Sequence, residues 1–238
     1  MEIEEFSSNL KEKLNKINIE INNEQAQKFY NYMNLLLEWN EKINLTAITE
    51  PNEVISKHFV DSATILKYIE KDMKIVDVGT GAGFPGIPLN IIKNNAKYTL
   101  VDSLNKRINF LNEVIEKVEL QNINTVHSRI EDFAKNNKEK FDIATSRAVA
   151  SLNVLLEYLL PLLKVGGICI CMKGSNAKEE LENASKALEI LGGKIEKIEE
   201  IILPNSDIVR NIIIVRKIKS TPNKYPRKAG TPSKEPIM

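Results

Sequence analysis

The chain has 238 residues, of which 42% are hydrophobic and 27% are charged, and its formal net charge is +1. This length and composition suit a globular protein with one large domain or one domain and a small appendage. We expect neither a membrane span nor a signal peptide, because no apolar run reaches roughly 18 residues and the N-terminus is acidic. Cys169 and Cys171 are expected to be buried thiols. With only two histidines in the chain, no histidine-based metal site is expected.

Residues 1 to 70 are predicted to be helical. Apolar and aromatic side chains recur at three- and four-residue spacing between about 23 and 41, which predicts a helix with one buried face. These side chains are Phe29, Tyr32, Met33, Leu36, Leu37 and Trp39. A second helix is predicted to start at Pro51, a residue suited to a first helical turn. On this helix we interpret His58 as a packing or capping residue, and its closeness to Asp61 leaves a minor acceptor-site role open.

A buried strand that begins at Met73 runs into a glycine-rich turn. The turn contains the glycines Gly79, Gly81, Gly83 and Gly86, which let the backbone turn sharply and approach a ligand closely. The segment from Gly81 to Gly86 satisfies the dinucleotide pattern G-x-G-x-x-G. In a dinucleotide site, however, the strand should run directly into the first glycine and the following helix should face a pyrophosphate. Asp77 in the approach to the turn would repel a pyrophosphate and attract a cation.

An acidic residue, Asp102, also ends the next apolar run. A glycine-rich turn after Asp77, followed by such a second acid, resembles motif I of class I methyltransferases. S-adenosylmethionine carries a sulfonium, an ammonium and two ribose hydroxyls, and no phosphate, so carboxylates suit it. We therefore predict a methyl-donor site here, with a dinucleotide as the alternative.

From residue 73 onward the pattern alternates between strands and helices, which predicts a parallel sheet covered on both faces. Strands are predicted near 73–79, 97–102, 123–127, 141–145, 166–173, 194–202 and 211–217, and helices near 84–94, 104–119, 129–135, 151–163 and 176–191. The link between the last two strands is too short for a parallel crossover, so they should form an antiparallel hairpin. The predicted fold is α/β: a Rossmann-like seven-stranded sheet with an antiparallel terminal hairpin, as in class I S-adenosylmethionine-dependent methyltransferases, with a small helical N-terminal region. The expected division is a helical region over 1–70, a methyltransferase domain over 71–217 and a basic flexible tail over 218–238.

Polar residues follow the predicted third strand. In methyltransferases this loop usually contacts the adenine: backbone groups and a carboxylate there can accept the amino group of the base, and Ile130 can cover its ring. Ser128 and Glu131 also have the spacing of a helix capping box. Both interpretations can hold together, since a cap and a ligand use different atoms.

Arg147 follows the predicted fourth strand. Many amino-methylating enzymes carry an Asn/Asp-Pro-Pro-aromatic tetrapeptide there, which binds an amine that must lose a proton, and this sequence lacks it. A guanine N7 has a free lone pair and needs no general base, and arginine is the commonest side chain that reads this base edge. Because N7 must stay free, Arg147 is predicted to hold O6 or a phosphate, with a surface or ion-paired arginine as the alternative. Lys173, after the fifth strand, is predicted to meet a phosphate or to be a solvated strand end.

The C-terminal segment is strongly basic. From Arg216 onward it has seven Lys or Arg residues and one acid, so it carries +6 while the rest of the chain carries −5. It is also rich in proline, which predicts an extended or disordered arm when free. Such an arm is a plausible handle for a phosphate backbone, and a solvated terminus without a partner is the alternative.

Six stretches of the chain together resemble one family, the G-type methyltransferases of small-subunit ribosomal RNA, once called glucose-inhibited division protein B. The stretches are Asn44–Thr46, Lys57–Ser62, Asp77–Leu89, Asp102–Arg107, Ser146–Ala148 and Lys173–Gly174. They span nearly the whole chain in order, and the run Gly83–Pro88 is specific to this family.

The resemblance implies methyl transfer from S-adenosyl-L-methionine to N7 of a guanine in bacterial 16S ribosomal RNA, in the cytoplasm. The ribosomal RNA or the small ribosomal subunit is the implied partner. It also implies donor contacts by Gly79, Phe84, Ile130, Glu131 and Arg147.

Further site residues complete the prediction. To the donor site we add Asp77, Gly81, Gly83, Asp102 and Ser103, and as candidates for RNA contact we name Lys106, Arg107 and Lys173. Arg147 is expected to position the acceptor, and no general base is assigned. We expect a monomer without a metal or a membrane contact. An NAD-dependent oxidoreductase and a non-catalytic RNA-binding module are the alternative functions.

Overall fold

The computed structural model describes residues 1–147, 150–174 and 177–238, so Ala148 of the stretch Ser146–Ala148 lies outside the described residues. Seven strands in the described part form one sheet in the order β3-β2-β1-β4-β5-β7-β6. They are β1 (Lys74–Val78), β2 (Lys97–Asp102), β3 (Ile123–His127), β4 (Phe141–Arg147), β5 (Leu163–Lys173), β6 (Gly193–Ile202) and β7 (Val209–Lys217). Strands β1 to β5 are parallel, and β7 pairs antiparallel with both β5 and β6. The predicted α/β fold and its antiparallel terminal hairpin are confirmed.

Helices cover both faces of the sheet. They are α1 (Ile3–Asn15), α2 (Asn23–Ile43), α3 (Pro51–Val54), α4 (Asp61–Ala63), α5 (Gly86–Ile92), α6 (Asn105–Lys117), α7 (Ile130–Asn136), α8 (Leu152–Leu159), α9 (Ala177–Asn183), α10 (Ser185–Leu191) and α11 (Thr231–Lys234). A π-helical segment, Ile55–Val60, joins α3 to α4, and 3-10 turns lie at Leu66–Tyr68 and Leu160–Leu162. In the part of the chain that is described, no helix has the length and apolar character needed to cross a bilayer.

Alternation along the strands divides the core between the two faces of the sheet. Cys169 and Cys171 of β5 lie on the face that α8 and α10 cover, whereas Ile170 between them packs on the opposite face. This is the period of two that a strand buried on both sides requires. Both cysteines are free and buried, as predicted, with their Sγ atoms 3.3 Å apart.

The N-terminal helices are anchored to the glycine-rich turn through an aromatic cluster. The Tyr32 ring of α2 lies 5.6 Å from the Phe84 ring and 5.5 Å from the Phe59 ring. The Tyr32 hydroxyl also donates to the carbonyl of Ala82 in the turn. The helical N-terminal region thus shares one core with the sheet and forms a wall beside the ends of its strands.

The C-terminal tail is folded against α7 and α8. Its side chains Tyr225, Pro226, Pro232 and Ile237 are buried. Arg227 Nη2 donates to Glu157 Oε2 at 2.6 Å, and the Glu157 side chain is only 1% exposed. The expected extended, flexible tail is therefore not what the structure shows. Composition favours disorder, but the segment is docked by a few buried apolar side chains and by the ion pair of Arg227 with the buried Glu157.

Candidate active site

A cavity of about 530 Å³ opens at the carboxyl ends of β1, β2, β3 and β4. Ligands of open α/β sheets bind at this edge, and a volume of this size suits a small molecule such as a nucleoside. The cavity is lined by the glycine-rich turn, the ends of β2 and β4, the start of α7, the loop after α2 and the C-terminal tail.

The glycine-rich turn is held by hydrogen bonds to β2. Gly79, Gly81 and Gly83 have φ of 65°, 61° and 99°, in the left-handed region that favours glycine. The Gly79 amide donates to the Val101 carbonyl at 2.9 Å, and the Gly81 amide donates to Asp102 Oδ2 at 3.0 Å. Gly79, Gly81 and Phe84 line the cavity, whereas Gly83 faces the Tyr32 hydroxyl and Ile87.

Asp77 lies beneath the turn and does not line the cavity. Its Oδ2 accepts from the Thr80 hydroxyl at 2.7 Å and from the Gly86 amide, the first amide of α5, at 2.9 Å. Burial raises its pKa to about 6, against these two hydrogen bonds. Because its carboxylate takes up the amide of Gly86, the N-terminus of α5 is not presented to a pyrophosphate as a dinucleotide site requires. The geometry therefore disfavours the dinucleotide interpretation.

Two carboxylates face the end of the cavity between β2 and α7. Asp102 Oδ1 accepts from the Leu104 amide at 2.9 Å, and Oδ2 accepts from Gly81 and from Arg107 Nη1, the latter at 3.2 Å. A carboxylate offers about four acceptor positions, so Asp102 keeps one on Oδ1 for a ligand hydroxyl. Glu131 Oε1 accepts from the Gly230 amide at 2.8 Å.

Neighbouring residues complete this end of the cavity. Ser103, Arg107, Ser128 and Ile130 line it beside the two carboxylates. The capping box suggested by Ser128 and Glu131 does not form, because Arg129 is the N-cap of α7 and the Ser128 hydroxyl donates to the Arg129 carbonyl. Acceptors for ribose hydroxyls and an amine, an apolar cover and a glycine-lined approach fit S-adenosylmethionine.

Arg147 reaches the opposite end of the cavity from β4. Its guanidinium carbon lies 4.9 Å from the centre of the Phe84 ring. Nη1 donates to the Lys57 carbonyl at 2.9 Å and to Asp61 Oδ2 at 3.3 Å, and Arg210 Nε reaches the same Asp61 oxygen at 3.1 Å. Asp61 is 1% exposed, so a buried carboxylate between two arginines fixes Arg147 in place.

His58 stacks on Phe84, with ring centres 4.3 Å apart. Its Nδ1 lies 3.0 Å from Arg147 Nη2, and its Nε2 lies 2.9 Å from Thr46 Oγ1. Burial and the Arg147 charge lower the pKa of His58 from 6.5 to about 3, so the imidazole is neutral at physiological pH. His58 therefore lies at the β4 end of the cavity, beside Arg147 and Phe84, whereas the sequence left only a minor acceptor-site role open for it.

The C-terminal tail supplies a wall that the sequence did not predict. Gly230 and Ser233 line the cavity, and the Ser233 hydroxyl lies 2.9 Å from the Tyr158 hydroxyl. These residues are more than 80 positions away from the glycine-rich turn. No local pattern marks them, because they reach the cavity only through the docking of the tail.

The three residues predicted to contact RNA occupy different environments. Lys106 is exposed and Arg107 is half-exposed at the cavity edge. Lys173 is 7% exposed; its Nζ lies 2.7 Å from Glu180 Oε2 and also donates to the Ala150 carbonyl. The expectation that Lys173 meets a phosphate or solvent is thus contradicted, since its ammonium is already paired inside the protein.

Comparison with known proteins agrees with this geometry. The family model described as rRNA small subunit methyltransferase G matches residues 25–209. A protein of Acetivibrio thermocellus named Ribosomal RNA small subunit methyltransferase G is 55% identical over 222 residues, covering 92% of this chain and 91% of that protein. A protein of the same name from Alkaliphilus oremlandii is 51% identical over 237 residues, with 98% and 99% covered.

Solved structures support the fold at lower identity. A SAM-dependent methyltransferase from Aquifex aeolicus aligns with a TM-score of 0.55 at 18% identity, over 73% of this chain and 97% of that one. The structure of M. jannaschii TYW2 in complex with AdoMet aligns with a TM-score of 0.53 at 16% identity, over 66% and 74%. With its fold, its cavity and these relatives, the chain belongs to the rRNA small subunit methyltransferase G family, a family of S-adenosylmethionine-dependent methyltransferases.

Proposed function

We propose that this protein transfers a methyl group from S-adenosylmethionine to N7 of a guanine in small-subunit ribosomal RNA. The names of the two relatives, which specify small-subunit ribosomal RNA, support the RNA class. The observation that supports N7 as the methylated atom is the chemistry at the β4 end of the cavity. Arg147 has only donors, and the Nδ1 lone pair of His58 is taken up by that arginine. These two side chains offer no free lone pair there to remove a proton from the acceptor. This end of the cavity therefore suits an acceptor atom that attacks with its own lone pair, such as guanine N7.

The donor supplies an electrophilic methyl on a sulfonium when it is bound. The protein's contribution is to hold the two reactants in line, which is worth several kcal/mol of the barrier without any proton transfer. The residues proposed to hold the donor are those of the turn and the two carboxylates Asp102 and Glu131, with Ser103 and Ile130 beside them. Asp77 and Gly83 shape the turn from below. Arg147 and Phe84 are proposed to form the wall of the cavity beside which the acceptor base lies.

The RNA is proposed to approach over the exposed edge of the cavity. Arg107 and Arg129 line the cavity at the starts of α6 and α7, and Lys106, next to Arg107 in the sequence, is exposed, as is Arg129. Cationic side chains around a cavity mouth are the expected contacts for phosphates, which position a nucleic acid without reading its sequence. We further propose that the enzyme acts as a monomer in the cytoplasm, where small subunits are assembled.

Methylation of small subunits from a strain that lacks this gene tests the function. The full-length protein and tritiated S-adenosylmethionine should label the small-subunit RNA at one guanine. Chemical cleavage specific for N7-methylguanine should then map the label to that position. Absence of label, or label on another atom, would refute the proposal. Wild-type and deletion strains with the same methylation pattern would instead favour the non-catalytic RNA-binding module.

A further inference from the structure

The loop after α2 places Thr46 at the acceptor end of the cavity. Thr46 lines the cavity beside His58 and Arg147. Its backbone is fixed, because its amide donates to Asn40 Oδ1 at 2.8 Å. The hydroxyl is therefore a positioned polar group at the place where the acceptor base must lie.

Arg147 decides which nitrogen of His58 carries the proton. The Lys57 carbonyl lies 3.2 Å from His58 Nδ1 and could accept a hydrogen bond from an Nδ1–H group. A guanidinium, however, has donors only and keeps its charge. With Arg147 Nη2 at 3.0 Å from the same nitrogen, a hydrogen on Nδ1 would point against another N–H. Nδ1 therefore accepts from Arg147, and the proton of the neutral ring lies on Nε2.

With this tautomer, both lone pairs of the Thr46 hydroxyl oxygen accept hydrogen bonds. His58 Nε2–H donates to Thr46 Oγ1 at 2.9 Å, and the Ile48 amide donates to the same oxygen at 3.0 Å. A hydroxyl has two acceptor positions and one hydrogen. With both acceptor positions occupied, the oxygen can only donate further. None of the described residues accepts its hydrogen, which is thus available to a ligand in the cavity.

We propose that the Thr46 hydroxyl donates a hydrogen bond to O6 of the target guanine and so selects guanine over adenine. Guanine presents O6 as an acceptor next to N7, whereas adenine presents a 6-amino donor there. A hydroxyl that can only donate forms a hydrogen bond with O6 of guanine. Opposite the 6-amino group of adenine, its hydrogen would face another hydrogen. The single bond to O6 also leaves N7 free to attack. This inference rests on the proposed function and names the residue that reads the base.

The assignment also refines the role expected of Arg147. Its Nη1 and Nη2 atoms already donate to Lys57, Asp61 and His58. Arg147 is thus engaged with the protein as the group that orients His58, and His58 in turn orients Thr46. In this arrangement O6 is read by the hydroxyl at the end of a buried relay, and Arg147 is a positioning residue for that contact.

A substrate analogue without O6 tests the contact. We would reconstitute small subunits with ligated ribosomal RNA that carries either guanine or 2-aminopurine at the mapped position. Loss of one hydrogen bond to a site built for it lowers kcat/KM by about 10- to 100-fold. On guanine we expect T46V to lower kcat/KM by this factor. On 2-aminopurine we expect the loss of kcat/KM to be smaller by at least about tenfold, because the contact to O6 is absent there in both proteins. T46S, which keeps the hydroxyl, should retain most of the activity on guanine.

Controls separate this contact from other roles. T49V changes an exposed threonine of the same loop and should behave like the wild type on both substrates. Equal losses by T46V on the two substrates would overturn the proposal, as would a matching loss of S-adenosylhomocysteine affinity, which would place Thr46 in the donor site. If the wild-type protein does not methylate guanine N7 at all, it is the proposed function that fails.

Discussion

Two buried ionisable side chains at the cavity respond to pH in opposite directions. Burial raises the pKa of Asp77 from 3.8 to about 6, so the folded protein keeps a proton there that the unfolded chain releases. Stability from this group is present below pH 3.8 and is lost as the pH rises toward 6. Burial and the Arg147 charge lower the pKa of His58 from 6.5 to about 3. Stability from His58 is present above pH 6.5 and is lost as the pH falls toward 3.

Replacing His58 should remove its contribution to the dependence of the free energy of unfolding on pH. Between pH 6 and pH 4 the unfolded chain takes up a proton on His58 that the folded protein does not, which costs up to about 1.4 kcal/mol per pH unit. The free energy of unfolding of the wild type minus that of H58Q should therefore fall as the pH is lowered through this window. Urea denaturation at a series of pH values measures this difference. H127Q, at an exposed histidine, is the matched control, and parallel wild-type and H58Q profiles would contradict the prediction.

At the scale of elements, the connection from β1 to α5 is the most tightly constrained part of the site. Gly86 opens α5 directly below the glycine-rich turn. A Cβ on Gly86 would collide with Leu100 Cδ2 and come within 2.9 Å of Asp77 Oδ2, the atom that accepts the Gly86 amide. The close approach of α5 to β2 thus depends on the missing side chain, a packing role for this glycine in addition to any role in ligand binding.

G86A should therefore destabilise the protein although it adds only a methyl group. Overpacking of this kind costs about 1–3 kcal/mol, which corresponds to a fall in Tm of roughly 2–12 °C for a chain of this size. Calorimetry of G86A against G174A makes the comparison, because a Cβ on Gly174 meets nothing within 4 Å. Equal Tm values for the two variants would show that α5 can shift to accommodate the methyl.

Element boundaries were predictable where local chemistry sets them. The strand predicted over 97–102 is β2, since an apolar run bounded by polar residues marks a buried strand. The helix predicted over 151–163 ends at Leu159, and a 3-10 turn containing Pro161 follows, because proline has no amide to continue the helix. The π-helical segment Ile55–Val60 has no pattern of its own.

The distinction between features set by local chemistry and features set by contacts in space also separates the predicted site residues from those that were missed. Asp102, Glu131 and Arg147 line the cavity, as predicted from the rule that parallel strands bring their carboxyl ends to one edge of the sheet. Thr46 stands in a loop, and its role depends on a tautomer set by Arg147, a residue 101 positions away. Lys173 was misplaced for a related reason, since a lysine at a strand end is paired or solvated according to its neighbours in space.

At the scale of the whole molecule, the C-terminal tail has contacts at the cavity in addition to the RNA-binding role that its charge suggests. Composition predicts a flexible basic arm for RNA, yet the segment forms one wall of the cavity. Glu157 accepts from the Arg227 amide and from its guanidinium, with distances from 2.6 to 3.1 Å. Further along the tail, the Gly230 amide donates to Glu131. Because the docked tail holds Glu131 and lines the cavity, we expect it to strengthen donor binding, and by reciprocity donor binding should then strengthen tail docking by the same factor.

Arg227 and Lys228 allow the two roles of the tail to be separated. Each substitution to alanine removes one positive charge, but Arg227 is paired with Glu157, whereas Lys228 is exposed. R227A leaves the buried Glu157 carboxylate without its counterion, a change that costs about 3–5 kcal/mol when both partners are buried and less here, because the Arg227 side chain is 26% exposed. R227A should therefore undock the tail and weaken S-adenosylhomocysteine affinity by about tenfold, or about 1.4 kcal/mol, whereas K228A should leave it unchanged. Titration calorimetry measures both affinities. A tail that serves RNA alone would instead give equal losses of RNA affinity, equal reductions of its salt dependence, and wild-type donor binding in both variants.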